Sequence, residues 1–379
     1  MKIGILSLAQ HSNYGGILQM FALQTVLEKM GHNVVVFNRP IEYRKRIFPR
    51  RILTYSKRLM KKFILRKKNV RIFEEKYNYK YQIANTKYTE IFVKEHIHNY
   101  YIHSFKDIKD EFDAIVVGSD QVWRMRYFKG AWLTKNSADA FLAFTRGWNI
   151  RRVAYAASFG LSTVEILPQE LPECRACLKA FDAISVREES GVKVCKEILG
   201  RDDAKWVIDP TLLLDVEVYD AISSGYREYA KKSEGELVSY ILDETQEKAS
   251  LIRKIAKEKN LKISEIRTHE FKDSSFEDCA RRPVEEWLQK FAHAGYIVTD
   301  SFHACIFSIL NHKQFLVFAN TGRGVERFES LLKIFGLEER MVFTPDGNKS
   351  LPYIDYRKVD AILAGKRKEA FTFLKEALG

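Results

Sequence analysis

Apolar runs without polar alternation recur along the chain, and each breaks into polar residues before a helical pattern resumes. Lys2 to Ser7, Asn33 to Phe37, Phe112 to Gly118, Arg152 to Ala157, Ala183 to Val186 and Trp206 to Ile208 read as strands buried on both faces. Ile17 to Met30, with Leu18, Phe21, Ala22, Thr25 and Val26 on one stripe and Gly31 after it, reads as the helix of a first βαβ unit. The loop before it is Asn13-Tyr14-Gly15-Gly16, whose glycines allow close backbone approach to a ligand or a tight turn. Its spacing is not a dinucleotide fingerprint, and no Gly-Lys-Ser/Thr follows, so neither a Rossmann cofactor nor a P-loop nucleotide is supported.

The same alternation restarts after a charged stretch, Leu214 to Gly235. Strands are expected at Glu236 to Leu242, Lys262 to Ile266, Tyr296 to Thr299 and Gln314 to Phe318. Helices are expected at Gln246 to Glu258, Val284 to Ala294, Ala304 to Leu310, Val325 to Phe335 and Ile362 to Leu378. The sequence therefore predicts α/β architecture with an N-terminal domain over 1–213, a C-terminal domain over 214–350 and a terminal amphipathic helix within 351–379 that packs back on the fold. Residues 73–101 are aromatic and irregular and predict no definite element.

Parallel strands share one carboxyl edge, so Asn13, Asp120, Ser158 and Arg187 are expected to face one crevice. The stretch Ile297 to Leu310, IVTDSFHACIFSIL, has the same logic in the second set. Asp300 or Ser301 can cap a helix whose first turn holds His303, placing an imidazole beside free backbone N–H groups and the positive end of the helix dipole. Thr321-Gly-Arg-Gly324 precedes another helix and reads as a loop that could also hold an anion, with Arg323 or Arg327 as partner.

Composition adds little until it is located. At 379 residues, 46% hydrophobic and 29% charged, the chain reads as a soluble globular protein with room for two domains. The apolar start is short and broken by Lys2, so neither signal peptide nor spanning helix is expected, and a cytoplasmic location follows. Five scattered cysteines fit reduced thiols, and Cys174-x-x-Cys177 has no second pair, so no metal is expected. Arg44 to Arg71 holds 13 Lys and Arg and no acid, which equals the whole formal excess of +13. That concentration argues against nucleic acid as a partner. Ile52, Leu53, Leu59, Met60, Phe63 and Ile64 recur at helical spacing between Lys57, Arg58, Lys61, Lys62 and Arg66. A basic amphipathic helical insertion over about 44–71 follows, either packed on its own domain or lying on an anionic membrane surface.

NYGGILQ at 13–19, GSDQVW at 118–123, AYAASFG at 154–160, ISVREESG at 184–191, IDPTLLL at 208–214 and TDSFHA at 299–304 together give a chain that resembles the polysaccharide pyruvyl transferase family over residues 1–345. The resemblance implies two Rossmann-like domains facing across a cleft in a glycosyltransferase-B-like arrangement. It implies phosphoenolpyruvate as donor, a sugar of a bacterial surface glycan or its precursor as acceptor, a pyruvate ketal as product and no cofactor. His303 matches the family's proposed acid, and Arg187 an arginine that holds the donor. Where better characterised members carry arginine two positions before the histidine, this chain has Ser301. Ser301 with Lys313, Arg323 or Arg327 would then complete the donor site. Asn13, Tyr14, Gly15, Gly16, Ser119, Asp120, Gln121 and Ser158 would form the acceptor side of the cleft. A nucleotide-sugar glycosyltransferase of the same architecture, or a glycan-binding relative without activity, are the alternatives.

Overall fold

The computed structural model of the chain describes residues 1–9, 12–43, 48–67, 69–231, 234–266, 276, 278–319, 322, 324–343 and 351–379; the side chains of 49, 229 and 230 are also left undescribed. Arg323 and Thr321, and Arg44 to Ile47 and Lys68 of the basic segment, lie outside the described residues.

Two parallel sheets form. The first contains β1 (Lys2–Leu6), β2 (Asn33–Asn38), β3 (Asn99–Tyr101), β4 (Ala114–Val117), β5 (Arg151–Ala157), β6 (Ala183–Val186) and β7 (Lys205–Trp206), in the order β3-β2-β1-β4-β5-β6-β7. The second contains β8 (Leu237–Tyr240), β9 (Ile263–Glu265), β10 (Tyr296–Thr299), β11 (Phe315–Phe318) and β12 (Met341–Val342), in the order β12-β11-β10-β8-β9. The central strands β4, β8, β10 and β11 are buried at every position, which is why their sequences show no alternation. The two sheets meet across a cleft lined from both, the glycosyltransferase-B-like arrangement that the family resemblance implies.

The domains are joined by an apolar seam. Tyr14 stacks on Trp287 with ring centroids 5.5 Å apart, and Tyr219 bridges Phe21 at 6.3 Å and Phe307 at 4.9 Å. The helix Tyr356–Leu378 crosses the seam: Phe373 packs on Tyr155, and Arg367 donates to the carbonyls of Leu212 and Leu214. Such a continuous apolar interface holds the cleft's geometry more firmly than a polar hinge would.

Several expectations change. The helix after β1 starts at Tyr14, so Asn13-Tyr-Gly-Gly16 is a cap and first turn rather than a loop: the Asn13 carboxamide accepts from the Gly16 N–H at 3.3 Å. An Asn N-cap satisfies a donor that a glycine loop would leave open, and that outweighs glycine's poor helix propensity. The unreadable stretch forms helices Glu74–Thr86 and Thr89–His96 and the edge strand β3, held where Asn38 donates to the Asn99 side chain at 2.9 Å.

The basic helix is Phe48–Leu59, continued by a wider turn over Met60–Ile64. Its apolar side does not pack on the first domain as one reading expects. Phe48, Ile52, Phe63 and Ile64 are 66%, 54%, 65% and 73% exposed. Tyr55 packs against Phe73 at 5.3 Å, and Arg58 is held by the carboxylates of Glu74 and Glu75 and by the Ile72 carbonyl. Arg58 is therefore a tether, unlike the exposed Lys57, Lys61 and Lys62.

Candidate functional site

The site grows from two helix starts, one in each domain. After β10, the Thr299 hydroxyl donates to the Tyr240 carbonyl and accepts from the Ser301 N–H, turning the chain sharply. The Asp300 carboxylate accepts from the N–H groups of Leu242 and Asp243 and from Lys248 Nζ at 2.7 Å, tying this turn to the loop after β8. Ser301 then begins the helix Phe302–Leu310 through its extended backbone, without a side-chain cap bond, and every residue of that helix is buried. His303 stands in its first turn.

From the other domain, the start of helix Tyr14–Lys29 meets it. A Cβ built on Gly15 would lie 1.9 Å from His303 Nδ1, so the imidazole is seated directly on the glycine backbone. A second close approach lies nearby: Gly324, at φ +90°, would carry a Cβ 2.0 Å from the Gly160 carbonyl oxygen. These glycines let the domains come close enough for one cleft to receive two positive helix ends.

The cleft encloses about 460 Å³. The C-terminal domain lines it with Asp300, Ser301, Phe302, His303 and Arg327; the N-terminal domain supplies Asn13, Asp120, Gln121, Arg126 and Tyr127 among others. Asp120 adopts φ +67°, a left-handed backbone that turns its carboxylate off the end of β4, where Oδ1 accepts from the Gln121 N–H at 2.8 Å. Gln121 in turn accepts from Arg124 at 3.0 Å.

Arg187 is placed differently from expectation. It is neither an exposed arginine nor an element of the cleft lining: it is 3% exposed and packs 4.4 Å from the Phe302 ring. Its Nη1 donates to Asp209 Oδ2 at 2.6 Å and to Ser119 Oγ at 3.2 Å. Burial works against its charge, but Asp209, Glu188 and Asp120 outweigh that and hold its pKa above the ordinary value. Arg327 packs on the same ring at 5.2 Å and does line the cleft. Its burial, with Arg187 close by, pushes its pKa down to about 10, while Asp120 and Glu188 work in the opposite direction.

Three further expectations are corrected. Ser119 and Ser158 are fully buried behind the cleft; Ser158 donates to Glu188, whose pKa burial raises, and Ser119 donates to Asp209. Tyr14 points into the seam, its hydroxyl donating to the Arg282 carbonyl. Lys313 lies beyond the carboxyl end of helix Phe302–Leu310, whose axis runs about 10 Å from His303 to Leu310 at 1.5 Å per residue, and it does not line the cleft. Asn13, Gly15, Asp120, Gln121, Ser301, His303 and Arg327 do converge.

Sequence reasoning missed Asp209 as a site residue, although it stands in the IDPTLLL block. Its side chain is fully buried, and burial disfavours its charge, yet His303, Arg187 and Thr211 hold its pKa well below the carboxylate range. Asp209 Oδ2 lies 3.7 Å from His303 Nε2, a charge contact longer than a hydrogen bond. Arg126 and Tyr127 were missed as well, and nothing in their local pattern marks them; only the fold brings the helix Met125–Trp132 to the rim.

A family model described as polysaccharide pyruvyl transferase matches residues 13–322. No curated protein matches the chain. Among solved structures, the chain is similar to UDP-GlcNAc 2-epimerase from Neisseria meningitidis, bound to UDP-GlcNAc, at 11% identity and a TM-score of 0.48, covering 100% of this chain and 94% of that one. A UDP-GlcNAc 2-epimerase from Methanocaldococcus jannaschii gives 12% identity and a TM-score of 0.46, covering 96% and 100%. An alpha-glucosyltransferase in complex with UDP and DNA gives 11% identity and a TM-score of 0.44, covering 99% and 95%.

Proposed function

Because the chain belongs to the polysaccharide pyruvyl transferase family and so is a transferase, we propose that its donor is phosphoenolpyruvate, its acceptor a sugar of a bacterial surface polysaccharide or precursor, and its products a pyruvate ketal and phosphate. The observation that carries this reading is the convergence of His303 and Arg327 with two helix starts on one cleft. A trianionic donor needs cations and N–H donors on one side and an acid on the other. His303 protonates the methylene carbon of the enol, which leaves a cationic centre at the carbon bearing phosphate. A sugar hydroxyl attacks that carbon and gives up its proton; a second hydroxyl then displaces phosphate and closes the ketal. Arg327 supplies the charge that Ser301 does not, while Ser301 and the free helix N–H groups hold phosphate oxygens. Asp120 and Gln121 face the acceptor, and Arg187 acts through Asp209 rather than on the donor.

Calorimetry with phosphoenolpyruvate and with UDP-GlcNAc tests this directly. Binding of phosphoenolpyruvate alone supports the reading; binding of UDP-GlcNAc without phosphoenolpyruvate removes it. Arg327→Lys should weaken phosphoenolpyruvate binding by about 10- to 100-fold, because an ammonium replaces a planar fork without reproducing its two parallel bonds. An unchanged dissociation constant would take Arg327 out of the donor site.

No helix among the described residues is long and apolar enough to cross a membrane. The helix Phe48–Leu59 instead lies flat on an anionic membrane at the cytoplasmic face, and raises the local concentration of lipid-linked acceptor. The exposed Phe48 and Ile52 of the helix and Phe63 and Ile64 of the turn that continues it, beside exposed lysines, support this. At about 1 kcal/mol per basic residue near such a surface, Lys57, Lys61 and Lys62 together give appreciable attraction that salt weakens. Co-sedimentation with phosphatidylserine-containing liposomes should fall in high salt and in Lys57→Gln/Lys61→Gln/Lys62→Gln, and Phe63→Ser should reduce it independently. Binding that ignores all of these changes would leave the helix a solvated part of the fold.

A further inference from the structure

We propose that Asp209 is the positioning residue for His303: its carboxylate, delivered from the N-terminal domain, fixes the proton on Nε2 and so sets which tautomer of the imidazole the cleft receives. The catalytic half of this inference rests on the function proposed above; the structural half does not.

Asp209 is immobilised on every side. Oδ1 accepts from the Thr211 N–H at 3.0 Å and the Thr211 hydroxyl at 2.7 Å, while Oδ2 accepts from Arg187 at 2.6 Å and Ser119 at 3.0 Å. Oδ2 also faces His303 Nε2, which is buried and has no hydrogen-bond partner. The imidazole cannot swing away, because Gly15 lies against its Nδ1 and Cγ. The ring therefore has two states to choose between. With the proton on Nε2, an N–H points at an ionised carboxylate; with Nε2 bare, a lone pair points at the same negative charge. Electrostatics selects the first, and the 3.7 Å separation is one that a small inward shift of the ring closes when substrate fills the cleft. Once Nδ1 also takes a proton, the fixed carboxylate balances the imidazolium charge. This is how an orienting carboxylate makes one histidine nitrogen serve as acid.

The competing account makes Asp209 only the counter-ion of Arg187. That account gives the carboxylate no influence on the His303 tautomer. Protein labelled with 15N-histidine, with His303→Gln used for assignment, distinguishes them. At a pH where the ring is neutral, wild type should show the Nε2–H signature. Asp209→Asn should shift toward a mixture of tautomers and Asp209→Glu should restore part of the signature. Turnover should fall by about 10²–10⁴-fold in Asp209→Asn, with KM for phosphoenolpyruvate changing far less. If Asp209→Asn does not fold, Thr211→Val keeps the carboxylate but loosens it, and should move the tautomer ratio in the same direction by less. A tautomer ratio equal to wild type in a folded Asp209→Asn, or in Thr211→Val where Asp209→Asn does not fold, overturns the proposal. A shifted ratio in a protein that never turns over phosphoenolpyruvate would leave the pairing standing and remove the function.

Discussion

His303→Gln should lower pyruvyl transfer by about 10²–10⁴-fold, the usual contribution of a positioned general acid. Phosphoenolpyruvate affinity should stay within several-fold of wild type. On the proposed mechanism, proton delivery to the enol carbon would stabilise the transition state, whereas Arg327 and the helix N–H groups would hold the ground-state donor. Glutamine roughly fills the imidazole's volume on Gly15 but has no proton to give, so the seam between the domains should survive. Turnover measured by phosphate release, beside calorimetric donor binding, separates the two quantities. A large loss of affinity with unchanged turnover at saturation would make His303 a binding group instead.

The strand-to-helix junction holding His303 was legible because buried parallel strands are written as unbroken apolar runs and their carboxyl ends as abrupt polar ones. That single rule located β1, β4, β5, β6 and β10 and pointed to Asn13, Asp120 and His303. It could not say on which side of a strand end a side chain settles. Ser158 and Arg187 also follow strand ends, yet both turn beneath the cleft, because Glu188 and Asp209 are buried there and need donors. Lys313 failed for a different reason: proximity in sequence to a helix start says nothing once a full helix intervenes. Asp209 escaped because the residue it faces, His303, comes from the other domain, and local patterns carry no record of which domain faces which. The same limit hid Gly15's role, which looked like loop freedom and is in fact clearance for a ring from the other domain.

Gly15→Ala should therefore have an effect out of proportion to one methyl group. The new Cβ would sit 1.9 Å from His303 Nδ1 and 2.2 Å from Cγ, well inside contact distance, so the ring must leave its position or the domains must part. The helical backbone at Gly15 offers no relief, since its φ is not in the left-handed region and alanine itself favours helix. Propensity alone predicts stabilisation of up to about 1 kcal/mol; overpacking predicts a cost of about 1–3 kcal/mol. The clash should win, and activity should fall about as far as in His303→Gln, because a displaced imidazole is no better placed than an absent one. The decisive measurement is a double-mutant cycle on thermal or denaturant stability. In a His303→Ala background the methyl group has room, so Gly15→Ala should lose its cost and reveal the propensity gain. A Gly15→Ala penalty that is the same with and without the imidazole would mean that the two residues do not touch, and that the cleft is not closed at this point by the seating of His303 on the opposing helix.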